Sequence, residues 1–149
     1  MQAKLISESG EKTFALIFDP GEEVVSGIRA FAQQQNLAAS RFTALGAFSD
    51  AMLGFFDMEQ KDYIKIPVKE QVEVLTLVGN IALHQGMPKI HAHVVLGKTD
   101  GTAHGGHLLE AHVRPTLEVV VVEAPRHLQR QIDEATGLPL LNIREDQRV

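Results

Sequence analysis

From residue 40 to residue 122 the chain offers strand after strand and almost nothing of helical period, which limits its folds more than any other feature. Residues 40–47 and 51–58 flank Phe48-Ser49-Asp50 and read as a hairpin. A polar turn leads into residues 63–68. Residues 72–83 form a long β-rich run in which Gly79 marks a bulge or bend. Gly86-Met87-Pro88 separates that run from residues 90–96, and residues 108–113 and 116–122 complete the set around a break at Pro115. Parallel strands need long crossovers, usually helical, and none is present here. The expectation is a mainly antiparallel sheet with helices packed on it, an α+β fold.

Helical signals lie at the two ends. Residues 3–7 and 13–18 read as a first hairpin. Asp19-Pro20-Gly21-Glu22-Glu23 then carries helix-start chemistry, with a capping Asp and two acids for the first turn. Val24, Val25, Ile28, Phe31 and Ala32 recur at helical spacing, which predicts a long amphipathic helix over 22–35 with Asn36 as its stop. Residues 126–135 have the composition of a second, short helix capped by Gly137, followed by an edge strand over 138–143. The chain divides into a single domain over 4–143 and a C-terminal tail over 144–149, with no internal repeat or linker.

Four of the seven histidines fall within residues 91–107, HAHVVLGKTDGTAHGGH. His91 and His93 alternate with Ala92 at strand period, so their side chains share a face about 6.5–7 Å apart at the backbone, a gap two imidazoles bridge through a metal. Lys98-Thr99-Asp100-Gly101 reads as a turn that returns the chain. The third ligand is either His104 or His107. Gly105-Gly106 lets the backbone approach closely and take positive φ just before His107, which also heads a β run, so His107 is preferred and His104 held as the alternate. Such a site leaves a coordination position open for water, substrate or a small anion, which makes hydrolytic or lyase chemistry physically available.

The remaining candidates rank lower. Glu73 and Glu118 interrupt apolar β runs and are either buried acids supporting the site or outward-facing residues. Glu110 falls on the opposite strand face from His107. His84 and His112 read as polar punctuation beside turns, and His127 as solvent-facing at the start of the last helix.

With no cysteine, any metal must use imidazole and carboxylate, which narrows the choice toward zinc, iron, nickel, copper or manganese. A formal charge of -5 argues against nonspecific phosphate-backbone binding. No nucleophile elbow, phosphate loop or dinucleotide fingerprint occurs, so nucleotide chemistry is not expected and no catalytic residue is assigned. No signal peptide is visible and the longest apolar run is too short to span a bilayer, so cytoplasmic residence without membrane contact is expected.

These residues also carry a family resemblance. Leu45-Gly46-Ala47-Phe48, Leu53-Gly54-Phe55-Phe56-Asp57, and the run from Val72 through Gly79-Asn80-Ile81 match the PPC (plants and prokaryotes conserved) domain. So do Pro88, His91-Ala92-His93, Asp100-Gly101, Gly105-Gly106-His107-Leu108-Leu109-Glu110, Val113, Thr116-Leu117-Glu118-Val119 and Thr136-Gly137-Leu138. The chain resembles the stand-alone prokaryotic form, over most of its length, and the HxH followed by GGHL is the most specific part. The resemblance implies a homotrimeric α+β domain with zinc or a similar metal on His91, His93 and His107. It also implies DNA as a partner through the plant members, although no Arg-Gly-Arg-Pro core of an AT-hook occurs here. The expected function is a metal-binding, trimeric regulatory or interaction module, with a small metal-dependent enzyme as the alternative.

Overall fold

A computed structural model describes residues 1–7, 10–125 and 128–142. Strand alternation dictates how they pack. β1 (Gln2–Ser7) and β2 (Lys12–Phe18) form the expected first hairpin, followed by α1 (Val24–Gln35). The long strands come next: β3 (Ala39–Asp57), β4 (Asp62–Val68), β5 (Val72–His84), β6 (Met87–Gly97) and β7 (Ala103–Glu123). A short hairpin of β8 (Gln129–Ile132) and β9 (Pro139–Asn142) follows.

Among the described residues all nine strands join one sheet, antiparallel except for a single parallel contact of Leu83 with Gln129. β3 pairs with both β5 and β7, and β6 pairs with the same two strands. The circuit β3–β5–β6–β7 therefore closes on itself and leaves no free edge within it. Its inner face carries the core. β6 buries Ile90, Ala92, Val94 and Leu96, and β7 buries Leu108, Ala111, Val113, Leu117, Val119 and Val121.

α1 packs across β6 and β7. It buries Val24, Ile28, Phe31 and Ala32, the residues at helical spacing, and Phe31 meets Phe14 edge-on at 5.3 Å. The expected Asp is not the cap. Glu23 holds that place, its carboxylate accepting from the amides of Val25 and Ser26, while Glu22 turns back to the amide of Asp19. Asn36 ends the helix in the left-handed conformation, as its short polar side chain allows.

Four expectations are corrected. The hairpin around Phe48-Ser49-Asp50 is instead the continuous strand β3: Phe48 is fully buried, and Ser49 and Asp50 find partners along the strand. Pro115 does not break β7. It sits in a bulge opposite Ala47, where Gly46 lies so close that a Cβ would stand 2.3 Å from the Thr116 carbonyl oxygen.

Gly79 makes no bulge either; it pairs regularly with Phe42 and Ala92. Its missing side chain makes room for the buried Phe42 ring, whose Cζ would lie 2.2 Å from an added Cβ. Finally, the second helix is absent. The described part of 126–135 is β8 and a turn in which Asp133 accepts from the Thr136 amide, so α1 is the one helix among the described residues. The tail over 144–149 lies outside the described residues.

Because Phe42 and the β6 backbone both press on Gly79, G79A is expected to cost about 1–3 kcal/mol. Urea denaturation should show a lowered midpoint with an unchanged slope.

Candidate metal centre

Directly opposed residues of antiparallel strands share a face, and the β6–β7 register sets His93 against His107. Two residues along β6, His91 stands on that same face. The three rings meet with centroids 5.1, 5.2 and 5.3 Å apart. One ligand nitrogen from each lies within 4.8 Å of the others, and the Nε2 atoms of His91 and His93 are 3.1 Å apart. A tetrahedral zinc with bonds of about 2.0–2.1 Å sets its nitrogens roughly 3.3 Å apart, so the His91 and His93 nitrogens already stand near ligand spacing and His107 has to draw in to complete the set.

The electrostatics favour neutral rings at His91 and His107. Burial, followed by the charges of His91, His93 and Lys89, pushes His107 down to about 4. Burial also lowers His91, with smaller contributions from the Arg130 guanidinium and from His93. A neutral ring offers the lone pair that a metal requires. His107 Nδ1 is buried without a hydrogen-bond partner, which is costly for a polar atom and is relieved if that nitrogen ligates.

Neighbouring elements hold the site. Tyr63 of β4 lays its ring over His107 at a centroid distance of 4.7 Å, tilted by 30°. Gly54, paired with His107, admits that ring, since a Cβ there would lie 2.6 Å from Tyr63 Cδ1. Burial raises the Tyr63 hydroxyl's pKa and keeps it protonated. Beside His91 and His107 opens a cleft of about 250 Å³, which Arg29, Tyr63, Lys89 and Arg130 also line. A second hollow, lined by Val78, Gly79, Asn80, His91 and His93, lies on the other side.

The other sequence candidates fall elsewhere. His104 is exposed, pairs with Leu96 and lies on the opposite strand face from His107, so it does not join the group. Gly105 and Gly106 do permit close approach, a Cβ on Gly106 falling 3.0 Å from the Gly54 carbonyl oxygen, but neither takes positive φ. Both lie in the extended strand β7, where the pairing itself brings His107 round. Glu73 and Glu118 are exposed, paired with Gly97 and Leu45 respectively, and neither belongs to the group. Glu110 is exposed and comes within 3.9 Å of His112. His84, at the end of β5, stands outside the group with its Nδ1 buried and unpartnered. His127 lies outside the described residues.

Sequence reasoning missed Tyr63, Arg29, Lys89 and Arg130. Lys89 alone carried a signal, being two residues before His91 on the same strand face.

A family model for the Plants and Prokaryotes Conserved (PCC) domain matches residues 6–125. The chain belongs to this family. Among solved structures, the metal-containing protein AF0104 from Archaeoglobus fulgidus is 34% identical with a TM-score of 0.82, covering 95% of this chain and 96% of its own. A plant- and prokaryote-conserved protein from Pyrococcus horikoshii is 30% identical with a TM-score of 0.83, covering 95% of this chain and 94% of its own. A candidate DNA-binding protein from Ralstonia eutropha JMP134 is 27% identical with a TM-score of 0.82, covering 87% of this chain and 90% of its own. No functionally curated protein matches the sequence. Among the described residues no helix is long and apolar enough to cross a membrane.

One histidine outside the group has a distinct partner. His112 Nδ1 lies 2.9 Å from Asp50 Oδ1, a hydrogen bond that raises the imidazole pKa. Ser49 and then His112 lower that of Asp50. The His112 contribution to stability is fully present below the unfolded value of about 6.5 and is lost as pH rises through the raised folded value. The Asp50 contribution is lost as pH falls through its lowered value. Both groups are partly exposed, so the effect is small. A decline in the parent's thermal midpoint is expected as pH rises above about 6.5, and thermal melts of H112Q should lack it.

Proposed function

We propose that this PCC-family protein binds a divalent metal, zinc by preference, on His91, His93 and His107, and works as a cytoplasmic, homotrimeric regulatory or interaction module. The observation that carries this reading is the convergence of three imidazoles from two paired strands, two of them with lowered pKa and one with an orphaned ring nitrogen. The donor set fits the ion: three nitrogen ligands, no sulfur, and spacing near that of a tetrahedral site. The metal-containing relative from Archaeoglobus supports the same reading.

Assembly is supported by the outer face of the sheet. Leu45, Leu75 and Val78 are each about half exposed or more, which is a large apolar display for an isolated chain. DNA is the partner suggested by the name of the Ralstonia relative. The net charge of -5 and the missing AT-hook core weigh against a backbone-driven contact.

A second reading, a small metal-dependent enzyme, is favoured by one observation. Among the described residues no fourth side chain joins the three imidazoles, and a cleft opens beside them. A metal held there supplies Lewis acidity to whatever occupies its open position. Around it, Tyr63 keeps its proton and its ring orients His107.

The test is metal analysis of the purified protein and of the H91A/H93A variant, combined with sedimentation. The expected result is one zinc per chain in the parent, none in the variant, and three chains in both particles. A parent without stoichiometric metal after zinc dialysis would overturn the metal assignment. A monomer would overturn the assembly.

A further inference from the structure

Arg130 is the one cation among the described residues that is buried, at 6% exposure. Guanidinium groups are almost never buried without an acidic partner, because desolvation leaves the charge uncompensated. Here the partners are neutral. Nη1 donates to the Pro139 carbonyl oxygen at 2.9 Å and Nη2 to the Asn80 side-chain oxygen, while Nε is buried with no partner. No ion pair among the described residues includes Arg130.

The side chain lines the cleft beside the three imidazoles. Arg29, from the exposed side of α1, and Lys89, from β6, line it too, and neither forms an ion pair among the described residues. No Asp or Glu is among the described residues that line it. Three formal positive charges thus face one small cleft without a counter-charge among the described residues. The rest of the wall is apolar, with Val25, Leu109 and Leu140 among its residues. Electropositive groups beside an apolar wall match a molecule with an anionic head and a hydrocarbon body.

We propose that this cleft binds a small organic oxyanion, its anionic group held by Arg130, Arg29 and Lys89 and its apolar part lying against Val25, Leu109 and Leu140. The further placement of an anion oxygen at the metal's open position rests on the three-histidine reading; the charge argument does not. Arg130 supplies the planar fork that carboxylate and phosphate oxygens accept in pairs. With a volume of about 250 Å³, the cleft restricts the ligand to a compact one.

Calorimetric titration of the zinc-loaded protein with 3-methylbutanoate, with inorganic phosphate and with the neutral 3-methylbutanamide tests this. At least one anion is expected to bind at one per chain while the amide does not. Tighter binding of the carboxylate identifies a carboxylic acid ligand, and tighter binding of phosphate a phosphorylated one. R29Q/K89Q changes two exposed residues and spares the buried Arg130; it should weaken the anion about tenfold with zinc content unchanged.

The inference is overturned if neither anion binds more tightly than the amide, or if R29Q/K89Q binds them as the parent does. Repeating the titration after removing zinc by chelation separates the two readings. A protein that never holds zinc but binds the anion through Arg29 and Lys89 refutes the metal and keeps the anion site. A zinc-loaded protein indifferent to both anions does the reverse.

Discussion

The pairing of β6 with β7 is the constraint on which the rest depends. Through it the circuit of four long strands closes, and the same register that closes it sets His93 opposite His107. Strand side chains alternate with a period of two, so a slip of one residue would turn Ile90, Ala92, Val94 and Leu96 out of the core and His91 and His93 into it. Burying four apolar side chains while keeping two imidazoles out fixes the register strongly. The core selects the pairing, and the pairing assembles the three-histidine group without any dedicated loop.

Much of this was legible because it depends on alternation alone. His91 and His93 share a face in any strand, and His107 and His104 cannot both join them from one regular strand, since they stand three positions apart. The antiparallel character followed equally from the lack of crossovers. Less legible were the places where one long strand looked like two. Ser49, Asp50 and Pro115 have the chemistry of turns, but Ser49 and Asp50 are satisfied by hydrogen bonds along β3, and Pro115 by a bulge beside Gly46. Tertiary pairing overrode the local preference there.

The misread second helix had the largest consequence. Residues 126–135 have helical composition, yet only Leu128 and Ile132 in the described part are strongly apolar, too few to build a buried helical face. Gly137, expected as a helix cap, does have positive φ, but in the turn between β8 and β9. That hairpin carries Arg130 to the cleft. Reading it as a helix hides the burial of Arg130, so the positive lining beside the histidines had no counterpart in the linear pattern. Gly54 and Tyr63 were hidden for a related reason: their meeting over His107 is a product of three adjacent strands, and no local signal in any one of them announces it.

The site also lies on the outer face of the sheet, since strand parity reserves the inner face for the core. Shelter there has to be added from outside the closed circuit. Tyr63 supplies it from β4, and Arg130 and Leu140 from the terminal hairpin, both peripheral to the four strands that set the histidine register. The ligand group and its surroundings are therefore separable in the fold. The circuit holds the imidazoles, while the attached elements set the charge and shape of the adjoining cleft. Changes in β4, β8 or β9 can therefore alter the charge and shape of the cleft and leave the three imidazoles in place, because a site's surroundings vary independently of the scaffold that carries it.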